Sequence, residues 1–177
     1  TGSSNTANGL NSLFSNTSGV SNTAIGVSAL ILNSGGVQNT ASGVSALRNN
    51  TTGNFNTANG VLALGNNTIG NNNTALGFES NVLFNNLTNA TAIGSRAAVE
   101  ASNSLVLGSI NGENGATAST SVGIGTTIPR GVFDVTSSTN GILIPRVALT
   151  NTLVQAPIAN PQGGPLEVST LVYNTST

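Results

Sequence analysis

Asn-Thr-Ala recurs at Asn5, Asn22, Asn39, Asn56 and Asn73, each copy seventeen residues after the last, and a sixth copy in the same register begins at Ala90 as Ala-Thr-Ala. A period held this strictly is the signature of a repeat architecture and constrains the fold more than any other property of the chain. Two residues after each triplet comes a Gly (Gly9, Gly26, Gly43, Gly60, Gly77, Gly94), and three further on a small residue (Ser12, Ala29, Ala46, Ala63, Ser80, Ala97). In the first four copies Leu follows (Leu13, Leu30, Leu47, Leu64), then Asn three later (Asn16, Asn33, Asn50, Asn67), and a second Gly closes the unit (Gly19, Gly36, Gly53, Gly70).

A helical repeat needs apolar residues at 3.6-residue spacing and a run of good helix formers. Each unit here holds two glycines and several Asn, Ser and Thr, which favour turns. The stretches between, such as Asn-Thr-Ala-Ile (22–25) and Val-Ser-Ala-Leu (27–30), predict two short strands per unit, with bends at Gly and at the Asn-Thr/Ser-x-Gly segments. Seventeen residues suit one coil of an all-β solenoid or β-roll whose coils stack at ~4.8 Å.

Stacking explains the strictness, because equivalent residues of successive coils lie above one another. Recurrent Asn can then form amide ladders, while Ala and Gly permit close backbone approach. Val27, Val44 and Val61 at one position and Leu30, Leu47 and Leu64 at another predict two apolar columns. That apolar payload is thin for the backbone entropy lost by ordering each coil. The expectation is therefore an intertwined parallel homotrimer, with the small-residue columns buried between three copies.

Composition removes several function classes. Charged residues make up 5% of the 177, against about 25% in ordinary domains. The four basic residues are all Arg and are scattered, so no basic patch exists to neutralise phosphates and nucleic acid is not an expected partner. Disorder pairs low hydrophobicity with high net charge, whereas this chain has a net charge of −1 and a mean hydropathy of +0.14. No apolar run approaches the ~18–20 residues of a membrane-spanning helix. There is no Cys, hence no disulfide framework, and no signal peptide is visible; Thr1-Gly2-Ser3-Ser4 reads as the start of a mature or truncated piece.

The unit Asn-Thr-Ala-Ile-Gly-Val-Ser-Ala-Leu (22–30) resembles the head repeats of the YadA-like trimeric autotransporter adhesins, and related repeats occur in phage tail fibres. Ser104-Leu-Val-Leu-Gly108 looks like a degenerate copy, so the resemblance covers about 1–108. It implies three chains in a left-handed parallel β-roll acting as a rigid binding head. The departure is the period, since the usual coil of that family is somewhat shorter than seventeen. Further on, Ser121-Val-Gly-Ile-Gly-Thr-Thr-Ile-Pro-Arg-Gly-Val-Phe-Asp-Val135 resembles a VGIGTxP segment of phage tail fibres and long secreted bacterial proteins. Asn140-Gly-Ile-Leu-Ile-Pro-Arg-Val-Ala-Leu-Thr150 with Leu171-Val-Tyr-Asn-Thr175 resembles a tract of fibre proteins in Bacteroidetes-type bacteria and their phages. Neither resemblance carries a catalytic residue onto this chain.

Three regions are expected: repeat coils over 1–108, a polar loop or linker over 109–120, and a β-rich stem or connector over 121–177. The repeat loses its Leu column in the fifth and sixth copies, where Asn81 and Ala98 take its place, and its decay near Leu87 predicts a transition toward a differently built stem. Four strand-like runs follow at 122–125, 132–136, 142–148 and 168–173. Pro145 predicts an edge or an interruption in the third, and the Pro and Gly of 157–165 an irregular connection.

No catalytic, cofactor-binding or metal-ligating residues are assigned. Gly123-Ile-Gly125 lacks the third Gly and the helix of a dinucleotide fingerprint. Asp134 and Glu167 have no base beside them in sequence, and a solvated or turn-stabilising role is expected. Glu79, Glu100 and Glu113 are too sparse for a Ca²⁺ loop; backbone carbonyls at a trimer axis are the one place left for an ion. Triplets such as Asn16-Thr-Ser18 and Asn86-Leu-Thr88 are compositional, and Arg48 and Arg96 are expected on outward faces. The leading reading is a non-enzymatic, extracellular fibre segment on a virion or bacterial surface. It would bind a cell-surface glycan or protein receptor and join further parts of a fibre or tail, with weak contacts multiplied by avidity. The alternatives are an ice- or crystal-binding solenoid using Thr6, Thr23, Thr40, Thr57, Thr74 and Thr91, and a glycan-cleaving tailspike, whose paired carboxylates the repeats do not supply.

Overall fold

A computed structural model describes residues 2–139, 146–147 and 173–174, and every element among them is β. The Thr-Ala-x triplets form strands β1 (Thr6–Asn8), β2 (Thr23–Ile25), β3 (Thr40–Ser42), β4 (Thr57–Asn59) and β5 (Thr74–Leu76). After β6 (Asn81–Val82) come β7 (Thr91–Ile93), β8 (Ala98–Val99) and β9 (Leu105–Leu107). Strands β1–β2–β3–β4–β5–β7–β9 make one seven-stranded parallel sheet, one strand per coil, and β6 pairs with β8 in a second. Registers run Thr6↔Thr23↔Thr40↔Thr57↔Thr74↔Thr91, so the seventeen-residue period is the coil of a parallel β-solenoid. A last, shorter coil takes Thr91 to Leu105, which places the degenerate Ser104–Gly108 copy in the same stack.

Two strands per unit, expected from the sequence, form only in the fifth and sixth coils. In the earlier coils Val-Ser-Ala-Leu is a corner rather than a strand: Ser28 (φ 58°) and Leu30 (φ 51°) both sit in the left-handed region, as do Ser45, Leu47, Leu62 and Leu64. Left-handed backbone costs an L-residue roughly 1–2 kcal/mol. The stack holds it there from both sides, since the Ser28 N–H donates to Leu10 O of the preceding coil (2.8 Å) and the Leu30 N–H to Ala46 O of the next (3.0 Å).

The core is a narrow column inside each coil. Ala24, Ala41, Ala58 and Ala75, Ala29, Ala46 and Ala63, and Leu30, Leu47 and Leu64 are fully buried within the single chain. The small-residue columns therefore do not await burial between copies, because the coil closes on its own Ala side chains. The valine column is likewise not core: Val27, Val44 and Val61 are 43%, 46% and 40% exposed. Strand alternation puts residues 23 and 25 on the side opposite the inward Ala24, and the valines follow beyond the strand end, after a Gly at positive φ (Gly26, φ +124°).

Polar side chains complete the interior. Asn39 donates its backbone N–H (2.9 Å) and Nδ2 (3.1 Å) to Asn22 Oδ1 and a further Nδ2 bond to Gly53 O (2.8 Å). Its own Oδ1 accepts the N–H (2.9 Å) and Nδ2 (3.1 Å) of Asn56 one coil on. This ladder runs from Asn5 to Asn73 and ends where Ala90, lacking an amide, only donates its N–H to Asn73 Oδ1. A second ladder climbs through Asn16, Asn33, Asn50 and Asn67 with 2.9 Å steps. Position 84 is Phe, so the second ladder stops and Asn73 crosses over to bond Asn67 Oδ1 (3.2 Å). Among the described residues no buried side-chain nitrogen or oxygen lacks a partner, the condition for burying so many amides without the usual penalty.

Both glycine positions are dictated by close approach between coils. A Cβ on Gly36 would lie 2.4 Å from Asn33 Oδ1 and 2.5 Å from Gly53 O; one on Gly43 (φ +138°) would lie 2.5 Å from Gly60 O.

By backbone proximity the chain divides into two compact units, residues 1–123 with 127–134 and residues 124–126 with 135–177. Beyond the coils, β10 (Val122–Ile124) pairs with β11 (Phe133–Val135), within the first two expected runs. β12 (Arg146–Val147), inside the third run, pairs in parallel with β13 (Tyr173–Asn174), which shares only Tyr173 with the fourth. Pro145, the 157–165 connection and the rest of those two runs lie outside the described residues.

Candidate functional site

A slender solenoid has no interior to spare for a ligand, so its chemistry lies on its outer faces. Along the large sheet, three outward positions recur per coil. The first is the threonine column Thr6 to Thr91, replaced by Leu105 in the last coil. The second reads Asn8, Ile25, Ser42, Asn59, Leu76, Ile93 and Leu107. The third, two residues on, reads Leu10, Val27, Val44, Val61, Phe78 and Ser95. Period-2 alternation about Ala24 is a signal in the sequence for residues 23 and 25, but it stops at Gly26 (φ +124°), so no local signal places the valines.

Charge is confined to other positions. Arg48 is exposed, as expected. Arg96 is only half exposed and anchored: its Nε lies 3.0 Å from Glu79 Oε2, its guanidinium stands 5.6 Å from the centre of the Phe78 ring, and it donates to Gly115 O. The 109–120 segment is a loop folded back onto these coils. Ser109 Oγ bonds Ala118 O (2.8 Å), Asn114 Nδ2 donates to Glu79 O (2.5 Å), and Ala116 is buried. The loop leaves an open depression of about 410 Å³ beside Arg96 and Ser109 and a smaller one of about 160 Å³ beside Arg48, Glu79 and Asn114. The single carboxylate at their border, Glu79, is engaged by Arg96.

The remaining residues weighed in the sequence are dispersed. Gly123-Ile-Gly125 runs out of strand β10 into a turn rather than a helix. Asp134 Oδ2 accepts the Arg130 N–H (2.8 Å), a turn-stabilising bond, and Glu167 lies outside the described residues. Glu100 and Glu113 are exposed, and among the described residues no three His, Cys, Asp or Glu side chains are grouped to hold a metal. Asn16 of the Asn16-Thr-Ser18 triplet is occupied in the second ladder. Among the described residues no helix is long and apolar enough to cross a membrane.

No curated protein and no solved structure matches the chain. Residues 123–177 match one family, described as phage tail like trimerisation region. The C-terminal part of the chain, after the last coil, is thus similar to a region through which phage-tail-like proteins trimerise, and this supports a structural, trimeric, fibre-like character for the chain.

Proposed function

We propose that the protein is a segment of a trimeric extracellular fibre, on a virion or a bacterial surface, that presents attachment sites for a cell-surface glycan or protein. Residues 1–108 form its rigid repeat part, 109–120 a folded loop, and 121–177 the stem that joins three chains. The observation that carries this reading is the trimerisation-type sequence at 123–177, which follows an uninterrupted stack of coils after the 109–120 loop. Two amide ladders and a continuous sheet make the stack stiff along its axis, which suits a part that must hold binding sites at a distance. Shallow polar faces repeated on three chains suit weak contacts summed by avidity. The likeness of 22–30 to YadA-like heads and of 121–135 to VGIGTxP fibre segments belongs to the same proposal.

The ice-binding alternative draws on the outward, in-register threonine column. A crystal lattice is regular in two directions, and the neighbouring column mixes Asn, Ile, Ser and Leu, so the face repeats in one direction only. Native mass spectrometry or light scattering on the full chain tests the fibre reading. A mass near three times 17.5 kDa is expected, and a well-folded monomer overturns it.

A further inference from the structure

Resting on that trimeric reading, we infer that the outer face of the seven-stranded sheet is the surface through which the solenoid parts of three copies pack on one another. The large apolar side chains left exposed on the coils are unevenly placed. Ten lie on this face or along its border: Ile25, Leu76, Ile93, Leu105 and Leu107 on the strands, and Leu10, Val27, Val44, Val61 and Phe78 in the column two residues beyond the strand ends, all between 36% and 71% exposed. The other five within residues 1–108, Phe14, Leu32, Phe55, Ile69 and Phe84, fall at five different positions of the repeat and build no column.

Seven strands at ~4.8 Å spacing make the strip about 29 Å long. The three-residue strands make the sheet itself about 7 Å wide, and with the column just beyond the Gly the strip covers a few hundred Å², Thr, Asn and Ser positions included, the range of the largest patch on an ordinary monomer, which is often functional.

Three features select a copy of the same chain as the occupant. The face carries no Arg, Asp or Glu, so identical faces meet without like charges opposed. A partner with the same seventeen-residue coil has the same axial spacing, so its columns stay level with these over the whole length, whereas a surface lacking that period would fit only locally. Finally, a strip of this size is small for free association, but chains already joined through 123–177 face one another at roughly millimolar effective concentration. The apolar columns continue through Leu105 and Leu107, toward the end of the stack nearest in sequence to that region.

The chain contains no Cys, so single substitutions place one label per copy. Nitroxide-labelled Val44→Cys and Val61→Cys are compared with Thr52→Cys, an exposed site about half a coil further round, by pulsed dipolar spectroscopy, with native mass recorded for each. Shorter inter-chain distances at 44 and 61 than at 52 are expected, and loss of the trimer on labelling at 44 or 61 but not at 52 supports the same face. Equal distances, or shorter ones at 52, in an intact trimer overturn the assignment of the face while leaving the trimer standing. A monomeric unsubstituted chain overturns the trimeric reading itself.

Discussion

In the coils from Asn5 to Asn72 the main core slot is filled by Leu13, Leu30, Leu47 and Leu64, each held near φ +50°; in the next two coils that kink is absent and Val82 and Val99 fill the slot from β6 and β8. The positions after Ser80 and Ala97 become extended, Asn81 and Ala98, and the inward residue moves one place along the chain. The first solution accepts a strained backbone for a large γ-branched side chain. The second relaxes one of the corner's two left-handed positions, Glu79 (φ 53°) and Arg96 (φ 58°) keeping the other, and takes a smaller β-branched side chain, which suits a strand. The late coils have also lost the second amide ladder, and gain instead the Glu79–Arg96 pair and the folded-back loop. A solenoid thus tolerates a change of corner because each coil need match only its two neighbours.

The largest expected effect separates the regions at their first glycine. Gly43→Ala drives a Cβ to 2.5 Å from Gly60 O at φ +138° and is expected to cost about 4 kcal/mol or more, or to prevent folding. At Gly94 the nearest atom is Gly108 Cα at 3.1 Å, because the last coil is shorter, and Gly94→Ala is expected to cost about half as much. Circular dichroism melts of the two variants decide it; equal losses would mean that the late coils are as tightly stacked as the early ones.

Next come the amides. Asn39→Ala removes the acceptor of the buried Asn56 N–H and the Nδ2 donor to Asn22 Oδ1 and Gly53 O, which keep only the residue-39 N–H and Asn50 Nδ2, for about 3 kcal/mol. Asn81 accepts only the Asn66 and Val82 N–H groups, and Asn81→Ala is expected to lose about 1.5 kcal/mol by urea titration. The core slots follow, at about 2.5 kcal/mol for Leu47→Ala and about 1.5 kcal/mol for Val82→Ala; the reverse order would mean the strained corner offsets what Leu47 contributes. Arg96→Ala is the smallest, about 0.5–1 kcal/mol, because the pair with Glu79 is partly solvated. Its effect should shrink in high salt, whereas that of Leu47→Ala should not.

The period, the coil, both amide ladders and the point where the first ladder stops were legible in the sequence, because stacking turns a spacing in the chain directly into a contact in space. Asn39 lies over Asn22 for no reason beyond the count of seventeen. Ala90 in place of Asn predicts that the ladder ends there. The fate of Val-Ser-Ala-Leu was not legible. Local preference reads it as a strand, and Leu30, Gln38, Phe55 and Arg96 at positive φ contradict every residue-by-residue propensity. Their conformations are set by N–H groups directed along the stack into neighbouring coils, bonds that exist only once those coils are in place. The same holds for which hydrophobic column is core. Val44 and Leu47 are equivalent as residues, and only the closure of the coil around Ala41, Ala46 and Leu47 leaves Val44 outside. Repetition let the sequence determine what lies above what; which way each side chain points around the coil was decided by the turns, and the turns by the stack.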